Sequence, residues 1–144
     1  MSSSLRTSSV RDTRVCRVLI VDDNADSSEL LQLLLEPAGY EVMIADNAAK
    51  ALQLGAEFFP QVALLDIGLP GMNGYELAAE MRTRPEFTAC RFIAVTGYSG
   101  PQFEERCARA GFANHVTKPV DMHALLALLA EVSHAHAQSG AQGA

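Results

Sequence analysis

Long hydrophobic runs are missing from this sequence. The longest near the N-terminus, Val18 to Val21, falls far short of the roughly 20 apolar residues that cross a bilayer and is too short for the core of a secretory signal. Positive charge is also scarce: 11 Lys and Arg stand against 17 Asp and Glu, a net charge of -6. So acidic a chain has little potential to attract phosphate backbones or anionic lipid, and neither nucleic acid nor a membrane is an expected partner. Cysteine is limited to Cys16, Cys90 and Cys107, an odd number with no CxxC pair. That count argues against a disulfide framework or a zinc knuckle and fits reduced thiols in a cytoplasmic protein. There is no internal repeat or low-complexity block, and the glycines match neither the GxGxxG nor the GxxxxGK[ST] spacing of nucleotide sites.

What is present is enough for one core. With 144 residues, 49% of them hydrophobic, the chain has the length of a single domain. Residues 1–14, rich in Ser, Thr and Arg, read as a disordered leader; 15–133 form the domain; 134–144, composed of Ala, Gly, Gln, Ser and His without periodicity, read as a disordered tail. No space is left for an effector domain, so the expectation is a protein that works alone, or a fragment of a longer chain.

Short β-branched runs alternate five times with helical patterns. The strands are expected at Arg17 to Val21, Glu41 to Ala45, Gln61 to Leu65, Arg91 to Val95 and Asn114 to Thr117. Helices are expected at Asp26 to about Glu36, Asn47 to about Glu57, Gly74 to about Arg82, Pro101 to Ala110 and Met122 to about Ser133. This predicts an α/β fold: a doubly wound (βα)5 unit with a five-stranded parallel sheet and flavodoxin-like topology. Asn47 and Asp121 sit where N-caps belong, Gly39 and Gly111 where helices end, and Pro37 should stop the first helix near Glu36.

In such sheets ligands bind beyond the carboxyl ends of the strands. Asp22 and Asp23 follow the first predicted strand, Asp66 the third and Thr96 the fourth, while Lys118 precedes Pro119 at the end of the fifth. Three carboxylates in one place repel each other by about 1 kcal/mol per pair at 4 Å even in water. A cation must balance them. Lys118 supplies one charge, and oxygen-only ligands in a partly open site are what Mg²⁺, or Mn²⁺, selects. With such a metal a carboxylate can attack a phosphoryl group to give an acyl phosphate, and Asp66 is the best-placed nucleophile, with Lys118 and Thr96 to hold the other phosphoryl oxygens.

The residues themselves now carry a resemblance. Val-Asp-Asp at 21–23, Leu-Leu-Asp-Ile-Gly-Leu-Pro-Gly-Met-Asn-Gly at 64–74, Val-Thr-Gly at 95–97 and Thr-Lys-Pro at 117–119 together closely resemble the response-regulator receiver domain of two-component signalling, CheY-like in type. The resemblance covers Arg17 to Val132. It implies that Asp66 accepts a phosphoryl group from a phosphohistidine, that Asp23 binds Mg²⁺ directly and Asp22 mainly through water, and that Gly68 offers its backbone carbonyl. It also implies a switch in which the Thr96 hydroxyl moves toward the phosphoryl group and the aromatic at position 115 follows. Here that residue is His115, a departure that opens the switch to pH because imidazole changes charge near neutrality. Gly68 and Tyr98 would border the approach of an attacking water. The implied partners are a sensor histidine kinase or a phosphotransfer protein of a phosphorelay, and a downstream protein at the face of the fourth helix, fifth strand and fifth helix. The protein would be a signalling switch that assists its own phosphorylation and autodephosphorylation, not an enzyme acting on other substrates.

Plainer readings compete residue by residue. Asp22 and Asp23 taken alone read better as acids favouring the start of the first helix, with Asn24 as its cap; Lys118 could be a turn residue and Thr96 a loop cap. Only their joint placement argues for chemistry. Among other functions, a haloacid-dehalogenase-type phosphatase wants Asp-x-Asp, and Asp66-Ile67-Gly68 lacks the second acid. A flavodoxin-like cofactor carrier needs an anion-friendly loop where this chain has the acidic stretch Asp22 to Ser27. A receiver fold serving as a phosphorylation-independent interaction domain remains the alternative.

Overall fold

The computed structural model describes residues 16–69, 71–97 and 100–143, with the backbone alone from 133 onward. The expected leader, 1–14, and Tyr98 lie outside the described residues. Five strands, β1 (Arg17–Val21), β2 (Glu41–Ala45), β3 (Val62–Asp66), β4 (Arg91–Thr96) and β5 (Asn114–Thr117), alternate with α1 (Ala25–Leu35), α2 (Ala48–Phe58), α3 (Gly74–Arg82), α4 (Pro101–Arg109) and α5 (Met122–Gly143). All strand pairs are parallel, in the order β2-β1-β3-β4-β5. This is the doubly wound (βα)5 architecture that the alternation predicts.

The apolar runs explain why β1 and β3 are central. In β1, Val18 and Ile20 join one buried cluster with Leu31 and Leu35 of α1 and Leu125 and Leu129 of α5. Leu19 and Val21 point the other way, into a second cluster with Ala51 of α2, Leu77 and Met81 of α3 and Cys107 of α4. A strand buried on both faces must be apolar at every position, and the period of two divides its side chains between the two cores. β2 and β5 are the edges.

Caps fix where the helices begin. Asn24 accepts from the Ser27 N–H (3.0 Å), Asn47 from Lys50 (2.8 Å), and Asp121 from His123 and Ala124 (3.0 and 3.3 Å). Asn73 and Glu76 form a reciprocal capping box on α3, each bond 3.0 Å, an N-x-x-E signature that the sequence reading passed over. Gly39 (φ 103°) and Gly111 (φ 95°) take the left-handed conformation where α1 with its 3₁₀ extension and α4 end. Pro37 lies inside that extension, Glu36–Ala38, so α1 proper stops at Leu35.

Two boundaries differ in ways that matter. β3 and β4 each run one residue further than expected, which makes Asp66 and Thr96 the last residues of their strands. They are held by the sheet ladder, not by loops. At the other end of the chain α5 continues to Gly143, across the stretch expected to be a disordered tail beyond Ser133. Loss of apolar periodicity removes a reason to pack, not a reason to be helical, and Ala and Gln are good helix formers. Among the described residues no helix is long and apolar enough to cross a membrane. Cys16, Cys90 and Cys107 are buried and form no disulfide, as small apolar groups in a core do.

Close packing between α2 and the Pro85–Phe87 turn gives a test. A Cβ on Gly55 would stand 2.1 Å from the tip of the buried Phe87 ring. Gly55→Ala is expected to destabilise the domain by about 1–3 kcal/mol through overpacking, read as a lower urea midpoint with an unchanged slope.

Candidate functional site

Three of the five strands deliver an acid or a hydroxyl to one rim. Asp22 follows β1, Asp66 closes β3 and Thr96 closes β4; Lys118 follows β5 and is joined to Pro119 by a cis peptide bond. The strand order reverses direction between β1 and β3, so Asp22 and Asp66 flank the point where the chain winds off to opposite faces.

The side chains converge. Carboxylate oxygens of Asp22, Asp23 and Asp66 lie within 4.8 Å of one another. Lys118 Nζ is 3.4 Å from Asp22 Oδ2 and 3.4 Å from Asp66 Oδ2, so one ammonium bridges two strand ends. The second oxygen of each acid has its own donor: Asn24 N–H to Asp22 Oδ1 (2.9 Å) and Gly68 N–H to Asp66 Oδ1 (2.9 Å). These contacts keep both carboxylates in fixed rotamers. Asp22, Asp66 and Thr96 are buried, while Asp23 is exposed and Lys118 half-buried.

The electrostatics are those of a crowded acid site. Burial pushes the Asp22 carboxyl above its ordinary range; the Asn24 N–H and Lys118 pull against this, and the neighbouring Asp66 adds to it. Burial alone would lower Lys118, but Asp22 and Asp66 outweigh it and hold the ammonium above its ordinary value. The one lysine therefore remains charged and still leaves the three acids under-neutralised. An oxygen-only set with excess negative charge and an exposed member fits a hard divalent cation such as Mg²⁺ or Mn²⁺.

The remaining predicted residues fall into place unevenly. Gly68, two residues after Asp66, is exposed, and its N–H bonds the Asp66 carboxylate. Thr96 pairs in register with Thr117, and its carbonyl accepts from the Lys118 N–H at 2.7 Å, which ties the hydroxyl-bearing strand to the lysine. His115 pairs with Ala94, one pleat back from Thr96 on the same sheet face. Its ring meets Phe103 edge-on at 5.7 Å, and its Nε2 is 3.8 Å from Glu104 Oε2. Position 115 therefore looks onto α4 and not into the carboxylate cluster.

Sequence reasoning missed the neighbourhood beside the acids. A cavity of about 980 Å³ opens next to Gly68, bounded by Ile67, Asn73, Tyr75, Phe103 and Arg106. It adjoins the carboxylates without containing them. Gly74, the first residue of α3, meets the loop after Asp66: its N–H donates to Ile67 O (3.1 Å), and a Cβ there would lie 2.9 Å from Asp66 O. The aromatic at position 75, in the first turn of an amphipathic helix, was the available signal.

Similarity to known proteins agrees with this geometry. Residues 18–130 match the family described as "Response regulator receiver domain". The chain is 33% identical to Protein PilH of Pseudomonas aeruginosa over 112 residues, 78% of this chain and 93% of that protein. It is 33% identical to the polar-differentiation response regulator DivK of Brucella anthropi over 105 residues, 73% and 85% of the two chains. A CheY-like response regulator receiver domain from Methanospirillum hungatei superposes with a TM-score of 0.79 at 32% identity, covering 87% of this chain and 98% of that one.

The raised Asp22 carboxyl sets a pH dependence. The folded state holds that proton more tightly than the unfolded chain, so ionising Asp22 costs stability as pH climbs from near 3.8 through its folded value, and the cost persists above it. In chelator, Asp22→Asn is expected to raise the melting temperature at pH 7, with the gain shrinking as pH falls toward 4. For Lys118 the sign is opposite: its contribution is present below its ordinary 10.5 and is lost as pH rises through the higher folded value. Lys118→Met should lower the melting temperature at pH 7, because it leaves paired carboxylates without their cation.

Proposed function

This chain belongs to the response regulator receiver domain family, and we propose that within it Asp66 is the carboxylate that takes the phosphoryl group. As a receiver domain of two-component signalling it is a switch and not an enzyme acting on other substrates. Receiver domains of this kind work with histidine kinases or phosphotransfer proteins and with downstream targets, and generally bind Mg²⁺ at an acidic pocket. In this chain that pocket is the group Asp22, Asp23 and Asp66.

The single observation that carries the reading is Lys118 Nζ at 3.4 Å from both Asp22 and Asp66, with Asp23 beside them. An Asp66 oxygen attacks the phosphorus of a phosphohistidine, the P–N bond breaks, and the imidazole leaves with its electron pair and takes up a proton. The product is an acyl phosphate. Asp22, Asp23 and Asp66, with the Gly68 carbonyl, are the groups that would hold Mg²⁺ or Mn²⁺, which when bound supplies positive charge against the phosphoryl oxygens. Lys118 supports the same oxygens and exchanges its contact with Asp66 for one with the transferred group. The Gly68 N–H keeps the Asp66 side chain aimed while this happens.

Loss of the phosphoryl group by attack of water on phosphorus, the domain's own dephosphorylation, takes place on the Gly68 side, which is exposed. Thr96 offers a buried hydroxyl to the new oxygens, and its displacement is passed along the shared sheet face to His115. The output is a changed surface around α4, β5 and α5 for a downstream protein, and the compartment is the cytoplasm, where phosphohistidine donors and magnesium are available. A phosphorylation-independent interaction domain is the weaker reading, because it gives no reason for three acids to gather at one rim with a single ammonium between two of them.

Intact mass after incubation with acetyl phosphate and Mg²⁺ tests this directly. One added phosphoryl group is expected on the wild type, and none on Asp66→Asn or in chelator. Unmodified wild type with acetyl phosphate and with phosphorylated kinases would move the reading to the interaction domain. Mg²⁺ should also raise the melting temperature, by an amount equivalent to about 2.7 kcal/mol at 100 times its Kd, and Asp23→Asn should remove most of that rise.

A further inference from the structure

We propose that Tyr75 is a positioning residue through which the loop after Asp66 is linked to α4 and His115, a role that rests on Asp66 being the phosphoacceptor. The argument starts at Gly74. With no Cβ, the first residue of α3 lies against the backbone after β3: its N–H bonds Ile67 O at 3.1 Å, and an added Cβ would be 2.8 Å from Ile67 Cα. Asp66 O and the Ile67 side chain, Cδ1, lie against the same position, each 2.9 Å from such a Cβ, so the contact has little slack. A shift of the loop at 66–68 is therefore passed to the start of α3.

Tyr75 is the next residue, and its ring is the point where α3 meets α4. The Arg106 guanidinium stands 4.1 Å from the ring centroid; Phe103 is 6.3 Å away at 59°, and Phe112 is 6.3 Å away at 78°. The tyrosine hydroxyl reaches the Cys107 thiol. One side chain on α3 thus touches two turns of α4 and the segment leading into β5. Phe103 continues the series, its ring edge-on to His115 at 5.7 Å. The route is a run of packed rings, Tyr75 to Phe103 to His115, beginning at a backbone contact with the acceptor loop. It is separate from the path along β4 through Thr96.

Packed interiors transmit displacement because they leave no slack. Adjacency by itself is not coupling, so the test must measure coupling. The full chain is titrated with beryllofluoride in Mg²⁺ as a phosphoryl stand-in, following the bound fluorine signal by NMR and the His115 imidazole resonances at one fixed pH. In the wild type both respond. In Tyr75→Leu, beryllofluoride is expected to bind with a midpoint raised about 2- to 30-fold, and the His115 displacement to fall by half or more. Tyr75→Phe should restore both, since it keeps the ring, and Phe103→Leu, which cuts the next link, should behave as Tyr75→Leu does. Combining Tyr75→Leu with His115→Ala should raise the midpoint no further than the larger single effect.

Wild-type affinity and an undiminished His115 response in Tyr75→Leu and Phe103→Leu, or full additivity in the double variant, would overturn the link while leaving Asp66 as acceptor. Failure of beryllofluoride to bind the wild type would overturn the acceptor reading and this proposal with it.

Discussion

Three carboxylates gathered at one rim, two of them sharing one ammonium, is the constraint on which the rest of the site depends. Asp22 and Asp66 come from neighbouring strands, and Lys118 Nζ sits 3.4 Å from both. Such a cluster is unfavourable on its own, because like charges repel and burial raises the cost of ionising Asp22. It persists because the surrounding backbone allows little relaxation: the sheet ladder fixes β1, β3 and β4, and the Asn24 and Gly68 N–H groups hold the carboxylates in place. The fold stores an uncompensated negative charge at its rim. A divalent cation is the ligand whose charge offsets it, and with the Lys118 ammonium it would leave the rim able to receive phosphoryl oxygens.

The same economy governs what lies around the rim. The apolar strands β1 and β3, buried on both faces, make a stiff base, and the two side-chain clusters they divide attach α1 and α5 to one face and α2, α3 and α4 to the other. The acceptor loop is enclosed on the second side by Gly74, Tyr75 and the aromatic contacts to α4, so a change in its shape has few directions in which to go. A switch needs a rigid frame and a small number of movable contacts. On the proposed reading, Thr96 at the end of β4, His115 facing Glu104, and the ring of Tyr75 are the contacts that would move.

Receiver architecture was legible in the sequence because its signals are local or periodic. Alternating apolar runs mark the strands, Asn and Asp mark helix starts at 47 and 121, and the direction of parallel strands puts Asp22, Asp66, Thr96 and Lys118 on one rim. What escaped was either small in spacing or set by distant packing. The Asn73–Glu76 capping box is a four-residue pattern inside a glycine-rich loop and was overlooked. The helix beyond Ser133 has no apolar period to announce it. Gly74 gave no sign of its contact with the loop after Asp66, because nothing in a sequence says which backbone will approach a glycine.

By itself the sequence determined the fold class, the order of the elements and which side chains stand at the carboxyl ends of the strands, because these follow from period, turn chemistry and the direction of parallel strands. Tertiary structure alone decided the distances: that Lys118 reaches two acids at once, that Asp66 and Thr96 are held inside the ladder, that His115 faces Glu104, and that Tyr75 lies between the acceptor loop and α4. Such contacts join residues up to 96 positions apart. They arise from strand register and from how helices seat on the sheet, and neither is encoded by any short stretch of residues.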